Sequence, residues 1–162
     1  MRLNIQELLC GDGVIPFSCE MDPAGLDFPS IAEYLTPIKA EGRVTSQAGL
    51  LTLTGETRAS LSCICDRCGR EYRREAVFPL DTVLAEELVD EENPDVFLLQ
   101  DDCVDMDEVV STAFVLGLDS KLLCQPDCKG ICPQCGHNLN EGPCSCRPEA
   151  DPRFAALEQL LR

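Results

Sequence analysis

The chain has 162 residues, 44% of them hydrophobic, with twelve cysteines, one histidine, no tryptophan and a formal net charge of −16. That length suits one domain, or one domain with a small metal-held appendage. The charge opposes general attraction to a phosphate backbone and favours basic partners. A single histidine and the lack of a Gly-rich phosphate loop leave no recognisable catalytic set, and no apolar run reaches membrane-spanning length.

Met1 to Gly13 carries neither a long apolar run nor a small-residue cleavage site, so no secretory signal is predicted. A cytoplasmic location follows as the expectation, with the thiols reduced and available to metal rather than paired as disulfides. From Arg43 to Cys65 the residues alternate as half-buried strands do. Leu51 and Leu53 share a face, as do Thr57, Ala59, Leu61 and Cys63, while Gly49 and Gly55 punctuate the run. A further strand is predicted from Tyr72 to about Leu88, making the middle third an antiparallel meander. Asp90 to Asp95 combines charge with a proline and no periodicity, which predicts a loop, and Val96 to Leu99 predicts a short strand beyond it.

Asp105 is placed to cap a helix, with Glu108 three residues on reaching back in a capping box. Met106, Val109, Val110, Ala113, Phe114 and Gly117 then form one stripe, the pattern of a helix packed on a sheet. Asp151-Pro152 opens a second short helix whose apolar face is Phe154, Leu157, Leu160 and Leu161.

The cysteines carry the chemistry. Cys65-Asp-Arg-Cys68-Gly and Cys132-Pro-Gln-Cys135-Gly are zinc knuckles by spacing. Two intervening residues let both thiolates reach one ion, and the trailing glycine permits the turn whose amides point back at the sulfurs. Cys124 and Cys128, and Cys144 and Cys146, supply two more pairs. One arrangement joins Cys65 and Cys68 to Cys124 and Cys128, while Cys132, Cys135, Cys144 and Cys146 close a C-terminal ribbon. Both sites would be four-thiolate, coordinatively closed and structural, with two zinc ions per chain. The competing arrangement holds one ion with Cys128, Cys132, Cys135 and either Cys144 or Cys146, leaving Cys65 and Cys68 as a free or redox pair. A closed thiolate set accepts zinc or iron. His137 lies inside the second knuckle turn, an awkward position for the same ion, and Cys10, Cys19, Cys63 and Cys103 read as small apolar residues. The expected fold class is therefore α+β: an antiparallel β-meander with one packed helix, a zinc-ribbon-like C-terminal segment and a short terminal helix. The division falls between residues 1–123, β-rich, and 124–162, cysteine-rich.

Charge is unevenly spread. Residues 75–119 hold fourteen of the twenty-nine acids and no Lys or Arg, which reads either as a solvated acidic surface or as a docking face for a basic protein. The basic cluster Arg67, Arg70, Arg73 and Arg74 offers a local phosphate contact, or charge pairing with Glu71 and Glu75 across a hairpin.

Together these motifs resemble the YceD family of large ribosomal RNA subunit accumulation proteins. The resemblance rests on Val44 to Leu61 leading into Cys65-Asp-Arg-Cys68, the acidic stretch leading into Asp105-Met-Asp-Glu108, the run from Asp127 to Asn140, and the closing Asp151-Pro-Arg-Phe. It implies metal binding and a role in ribosomal RNA accumulation or large-subunit assembly. Joined to the charge, it leads to the expectation of a non-enzymatic zinc-binding factor that contacts a basic ribosomal or assembly protein. Ribosomal RNA contact would be weak and confined to the arginines, with no membrane association. The alternative from another class is a thiol redox protein using Cys65 and Cys68. That chemistry needs the pair at a helix N-terminus, and a strand pattern precedes it here.

Overall fold

The computed structural model describes residues 1–86 and 96–146. The predicted loop at 90–95 and the predicted helix from Asp151 lie outside the described residues. In chain order the elements are β1 (Arg2–Asn4), the short α1 (Gln6–Leu9), β2 (Gly13–Met21), β3 (Ile31–Tyr34), β4 (Ile38–Gln47), β5 (Leu50–Ile64), β6 (Glu71–Ala85), β7 (Val96–Leu98), β8 (Cys103–Asp105) and α2 (Met106–Gly117). This is an α+β arrangement dominated by antiparallel sheet, with one long helix among the described residues.

The meander is β4–β5–β6, paired antiparallel throughout. Leu51, Leu53, Thr57, Ala59, Leu61 and Cys63 all point into the core, because side chains two apart share a face. Gly49 forms the β4–β5 turn together with Ala48, both at positive φ (81° and 53°) between the paired Gln47 and Leu50, a two-residue turn whose twist matches its strands. Gly55 does not interrupt the chain as expected. It sits inside β5 directly opposite Gly42 of β4, and a Cβ on either would fall 2.8 Å from the other's Cα. The backbones can approach this closely only because both residues lack a side chain.

The amino-terminal third contributes three strands that the pattern reading did not find: β1, which pairs with β8 in a separate two-stranded sheet, and β2 and β3. β2 pairs with β4, and β3 pairs with the end of β5 beyond β4's reach. β6 runs from Glu71 to Ala85, ending before the expected Leu88. β7 joins β6 in parallel across Val83 to Ala85 and is the one departure from antiparallel order among the described residues.

α2 lies across β6. Phe114, fully buried, meets Phe78 edge-on with ring centroids 5.3 Å apart and Tyr34 at 6.2 Å. Gly117 brings the last turn onto the Phe78 ring, where an added Cβ would lie 2.4 Å away. Asp105 caps the helix by accepting from the Asp107 amide at 3.0 Å. The reciprocal Glu108 bond of a capping box does not form among the described residues. Each large apolar side chain fully buried in this layer contributes on the order of 1.5–3 kcal/mol.

Candidate metal centres

The β5–β6 hairpin ends in the first knuckle. Ile64 and Glu71 form its last pair, and the turn beyond is closed by Cys65 N–H donating to the Arg70 carbonyl (2.9 Å) and Gly69 N–H to the Cys65 carbonyl (2.8 Å). Gly69 takes φ 69°, a value at which a side chain would be strained. The second knuckle repeats this pattern at the same offsets. Cys132 N–H donates to the His137 carbonyl (2.8 Å), Gly136 N–H donates to the Cys132 carbonyl (2.9 Å), and Gly136 has φ 72°.

After α2 the chain returns to the first knuckle through a two-way latch. The Asp66 amide donates to the Leu122 carbonyl at 2.9 Å, while the Leu122 amide donates to Asp66 Oδ2 at 2.6 Å. The latch delivers Cys124 and Cys128, and Cys65, Cys68, Cys124 and Cys128 form one set with all sulfurs within 4.8 Å of one another. The Cys65–Cys128 and Cys68–Cys124 sulfurs are each 3.7 Å apart. Four thiolates about 2.3 Å from a tetrahedral ion stand about 3.8 Å from each other, so the set has the dimensions of such a site. Cys132, Cys135, Cys144 and Cys146 form a second set within the same limit. Cys128 falls in the first set, not with Cys132 and Cys135 as the one-ion arrangement required.

The electrostatics of each set call for a cation. Burial pushes the Cys65 thiol up, but amides of Cys124, Cys68 and Arg67 outweigh it and bring the pKa to about 6. Cys124 is pushed up to about 12 by burial and by the neighbouring sulfurs of Cys68, Cys65 and Cys128. In the second set, amides of Cys135 and Gln134 lower Cys132 to about 6, whereas the Cys135 sulfur, together with burial, raises Cys146 to about 12. A thiolate in such a set raises the cost of ionising its neighbours, and a dication removes that cost. Four protein sulfurs also fill a tetrahedral shell, leaving no position for a reactive water.

Outer contacts fix the first set. The Asn140 amide nitrogen donates to Cys128 Sγ at 3.3 Å, while its oxygen accepts from the Lys129 amide at 2.8 Å. Arg67 Nη1 donates to the Cys128 carbonyl at 2.9 Å, and Gly130 passes so close that a Cβ would lie 3.0 Å from the Arg67 carbonyl oxygen. Sequence spacing did not single out Asp66 or Asn140. Asp66 lies inside the knuckle and Asn140 ends the run from Asp127, so both were adjacent to a legible signal.

The remaining expectations divide. His137 is not among the clustered groups, and its Nε2 lies 3.2 Å from the Gly142 carbonyl oxygen. Cys19 and Cys63 are buried in the core, but Cys10 is exposed and Cys103 half-buried, so neither is a full core residue. The four arginines differ in their contacts: Arg67 donates to the Cys128 carbonyl and Arg74 pairs with Asp119 at 2.8 Å. Arg70 and Arg73 are exposed and make no ion pair among the described residues. Glu71 and Glu75 accept instead from the hydroxyls of Ser62 and Ser60. That replaces the expected arginine pairing, because each carboxylate lies beside a serine of the facing strand. Among the described residues no helix is long and apolar enough to cross a membrane.

Comparison with known proteins gives a consistent result. An uncharacterized protein of Mycobacterium tuberculosis is 32% identical over 123 residues, covering 74% of this chain and 59% of its own length. A chloroplastic large ribosomal RNA subunit accumulation protein YCED homolog 1 of Zea mays is 27% identical over 164 residues, covering 81% and 56%. The corresponding Arabidopsis thaliana protein is 26% identical over 157 residues, covering 77% and 49%. The chain thus spans about half the length of the curated relatives it matches. No solved structure matches it. The family model for large ribosomal RNA subunit accumulation protein YceD matches residues 53–161, which includes both cysteine sets, and the chain belongs to that family.

Proposed function

We propose that this protein is a non-enzymatic factor supporting the accumulation of large-subunit ribosomal RNA, held in shape by two structural zinc ions and acting in the cytoplasm through a basic ribosomal or assembly protein. Family membership implies the role in large-subunit ribosomal RNA accumulation. The observation that carries the mechanism is the pair of closed four-sulfur sets. Each offers a complete thiolate shell, the donor chemistry of zinc sites that stabilise folds rather than activate water. Binding two dications through eight thiolates adds roughly four negative charges to a chain already at −16. Such a protein is attracted to cationic partners and repelled by naked RNA. The dispersal of Arg67 and Arg74 into internal contacts reduces the basic patch further.

The redox alternative finds no support in the geometry. Cys65 and Cys68 sit in a strand-to-strand turn, among two further sulfurs, and not at a helix N-terminus.

The test is depletion of the protein in its own host, with the ratio of large- to small-subunit ribosomal RNA as readout. The ratio should fall, and it should recover with the wild-type chain but not with Cys65→Ser. Pull-down with and without nuclease then identifies the contact. A partner retained after nuclease treatment supports protein contact, whereas an unchanged RNA ratio overturns the role.

A further inference from the structure

The two sulfur sets have the same donors but different surroundings. In the first, Cys65 and Cys128 are only 1% and 2% exposed, Cys68 and Cys124 are half-buried, and the Asn140 amide donates to Cys128 Sγ at 3.3 Å. That set is carried by the end of the β5–β6 hairpin and by the Asp66–Leu122 latch. In the second set only Cys132 is buried. Cys144 and Cys146 are half-buried, and Cys135 is exposed among the described residues. The loop from Cys132 to Cys146 contains no element of the sheet layer and is closed by local contacts, chiefly the isolated bridge between Ile131 and Asn138 and the bonds of the knuckle turn.

Four sulfurs fill the shell of the ion, which excludes the chemistry of a bound water but not chemistry at sulfur. A cysteine is oxidised at a rate set by its thiolate character and its access. Coordination holds all eight sulfurs as thiolates, so access is what separates the sets. The sulfurs of the second set also lie within 4.8 Å of one another, and an oxidised sulfur there has a further thiolate beside it. Closing that gap to the S–S length of about 2.0 Å moves a loop on which no strand or helix of the sheet depends.

We infer that the second set is a site of oxidative modification, at which a hydroperoxide joins Cys135 to Cys144 or Cys146 as a disulfide and releases the ion, while the first set keeps its own. This rests on the two-ion reading above. In the first step the Cys135 sulfur bonds to one peroxide oxygen, the O–O bond breaks and hydroxide leaves with the electron pair, giving a sulfenic acid. In the second, the neighbouring thiolate attacks the Cys135 sulfur, the S–S bond forms, the S–O bond breaks and a second hydroxide leaves. Two thiolates have then given two electrons to the peroxide, and the ion retains two of its four ligands.

The test treats the full-length, zinc-loaded protein with hydrogen peroxide over time. Released zinc is read with a chromophoric chelator, and after denaturation the remaining thiols are alkylated and the disulfides located by peptide mass spectrometry. One ion per chain should leave at least about tenfold faster than the other. Its loss should keep step with a bridge from Cys135 to Cys144 or Cys146, with Cys65, Cys68, Cys124 and Cys128 still open to alkylation. The far-ultraviolet circular dichroism of the sheet should hold through this phase, and a phosphine reductant with added zinc should restore the second ion. Release of both ions in a single phase, earlier release from the first set, retention of both ions, or a bridge that omits Cys135 overturns the proposal and leaves the two-ion reading standing. Fewer than two ions per chain before peroxide is added overturns the two together.

Discussion

Cys65→Ser should destabilise the whole sheet layer, whereas Cys135→Ser should cost only a segment. Cys65 and Cys128 are 63 residues apart in sequence with sulfurs at 3.7 Å, so an ion shared by their set closes a loop containing β6, β7 and α2. Applied to a cross-link of that span, chain entropy gives about 4 kcal/mol of stability, a large part of the roughly 5–15 kcal/mol that holds a domain together. The Asp66–Leu122 latch would survive the substitution, but two hydrogen bonds offset only about 2 kcal/mol. The second set spans Cys132 to Cys146 and closes a loop that contains no strand or helix of the sheet layer. Urea denaturation of the zinc-loaded protein should show Cys65→Ser lowering the free energy of the sheet transition by about 4 kcal/mol. Cys135→Ser should leave that transition within about 0.5 kcal/mol while amide protection disappears between Ile131 and Cys146, where Leu139 and Ile131 offer little apolar burial. Equal losses from the two variants, or full protection of that segment in Cys135→Ser, would refute the division of labour.

Metal analysis of unoxidised protein should return two zinc ions per chain, matching the two sets of four sulfurs; one ion per chain would remove the second site. Zinc titrated at pH 8 into the metal-free first set should expel fewer than four protons, because Cys65, at about 6, is already ionised while Cys124, at about 12, is not. Calorimetry in buffers of different ionisation enthalpy counts them, and a release of four would contradict that ordering. Gly42→Ala places a Cβ 2.2 Å from the Thr54 carbonyl oxygen and 2.9 Å from the Phe17 ring. It should destabilise by about 1–3 kcal/mol, visible as a lower thermal midpoint, and an unchanged midpoint would disprove the close approach. The isolated protein should not bind naked ribosomal RNA tightly at physiological salt. Any residual binding should vanish when Arg70 and Arg73, the members of the cluster whose side chains make no hydrogen bond or ion pair among the described residues, are neutralised; submicromolar affinity indifferent to those changes would overturn the charge argument.

Local chemistry was legible in the sequence because it repeats at short spacing. Two residues between cysteines and a glycine after them dictate the knuckle turn, and both turns close with the same two hydrogen bonds. The alternation through β5 and the stripe on α2 report burial directly, since each follows the geometric period of its element. β2 was legible only in hindsight. Phe17, Cys19 and Met21 alternate with Ser18 and Glu20, but Pro16 interrupts the pattern, and only pairing with β4 shows that the strand continues through it.

What remained undecided by sequence was how distant pieces meet. Four cysteine pairs permit more than one grouping, and nothing in their spacing says which share an ion. The length and docking of α2 on Phe78 and Tyr34, followed by the Asp66–Leu122 latch, decide that Cys124 and Cys128 return to Cys65 and Cys68. The same holds for the arginines, whose partners Cys128 and Asp119 lie 61 and 45 residues from Arg67 and Arg74. The opposed glycines 42 and 55 are likewise paired by strand register. Ligand type and turn geometry are properties of a few consecutive residues, and the sequence by itself determined them. The grouping of the ligands and the surroundings of each charge depend on contacts between residues far apart in the chain, and only the tertiary structure decided those.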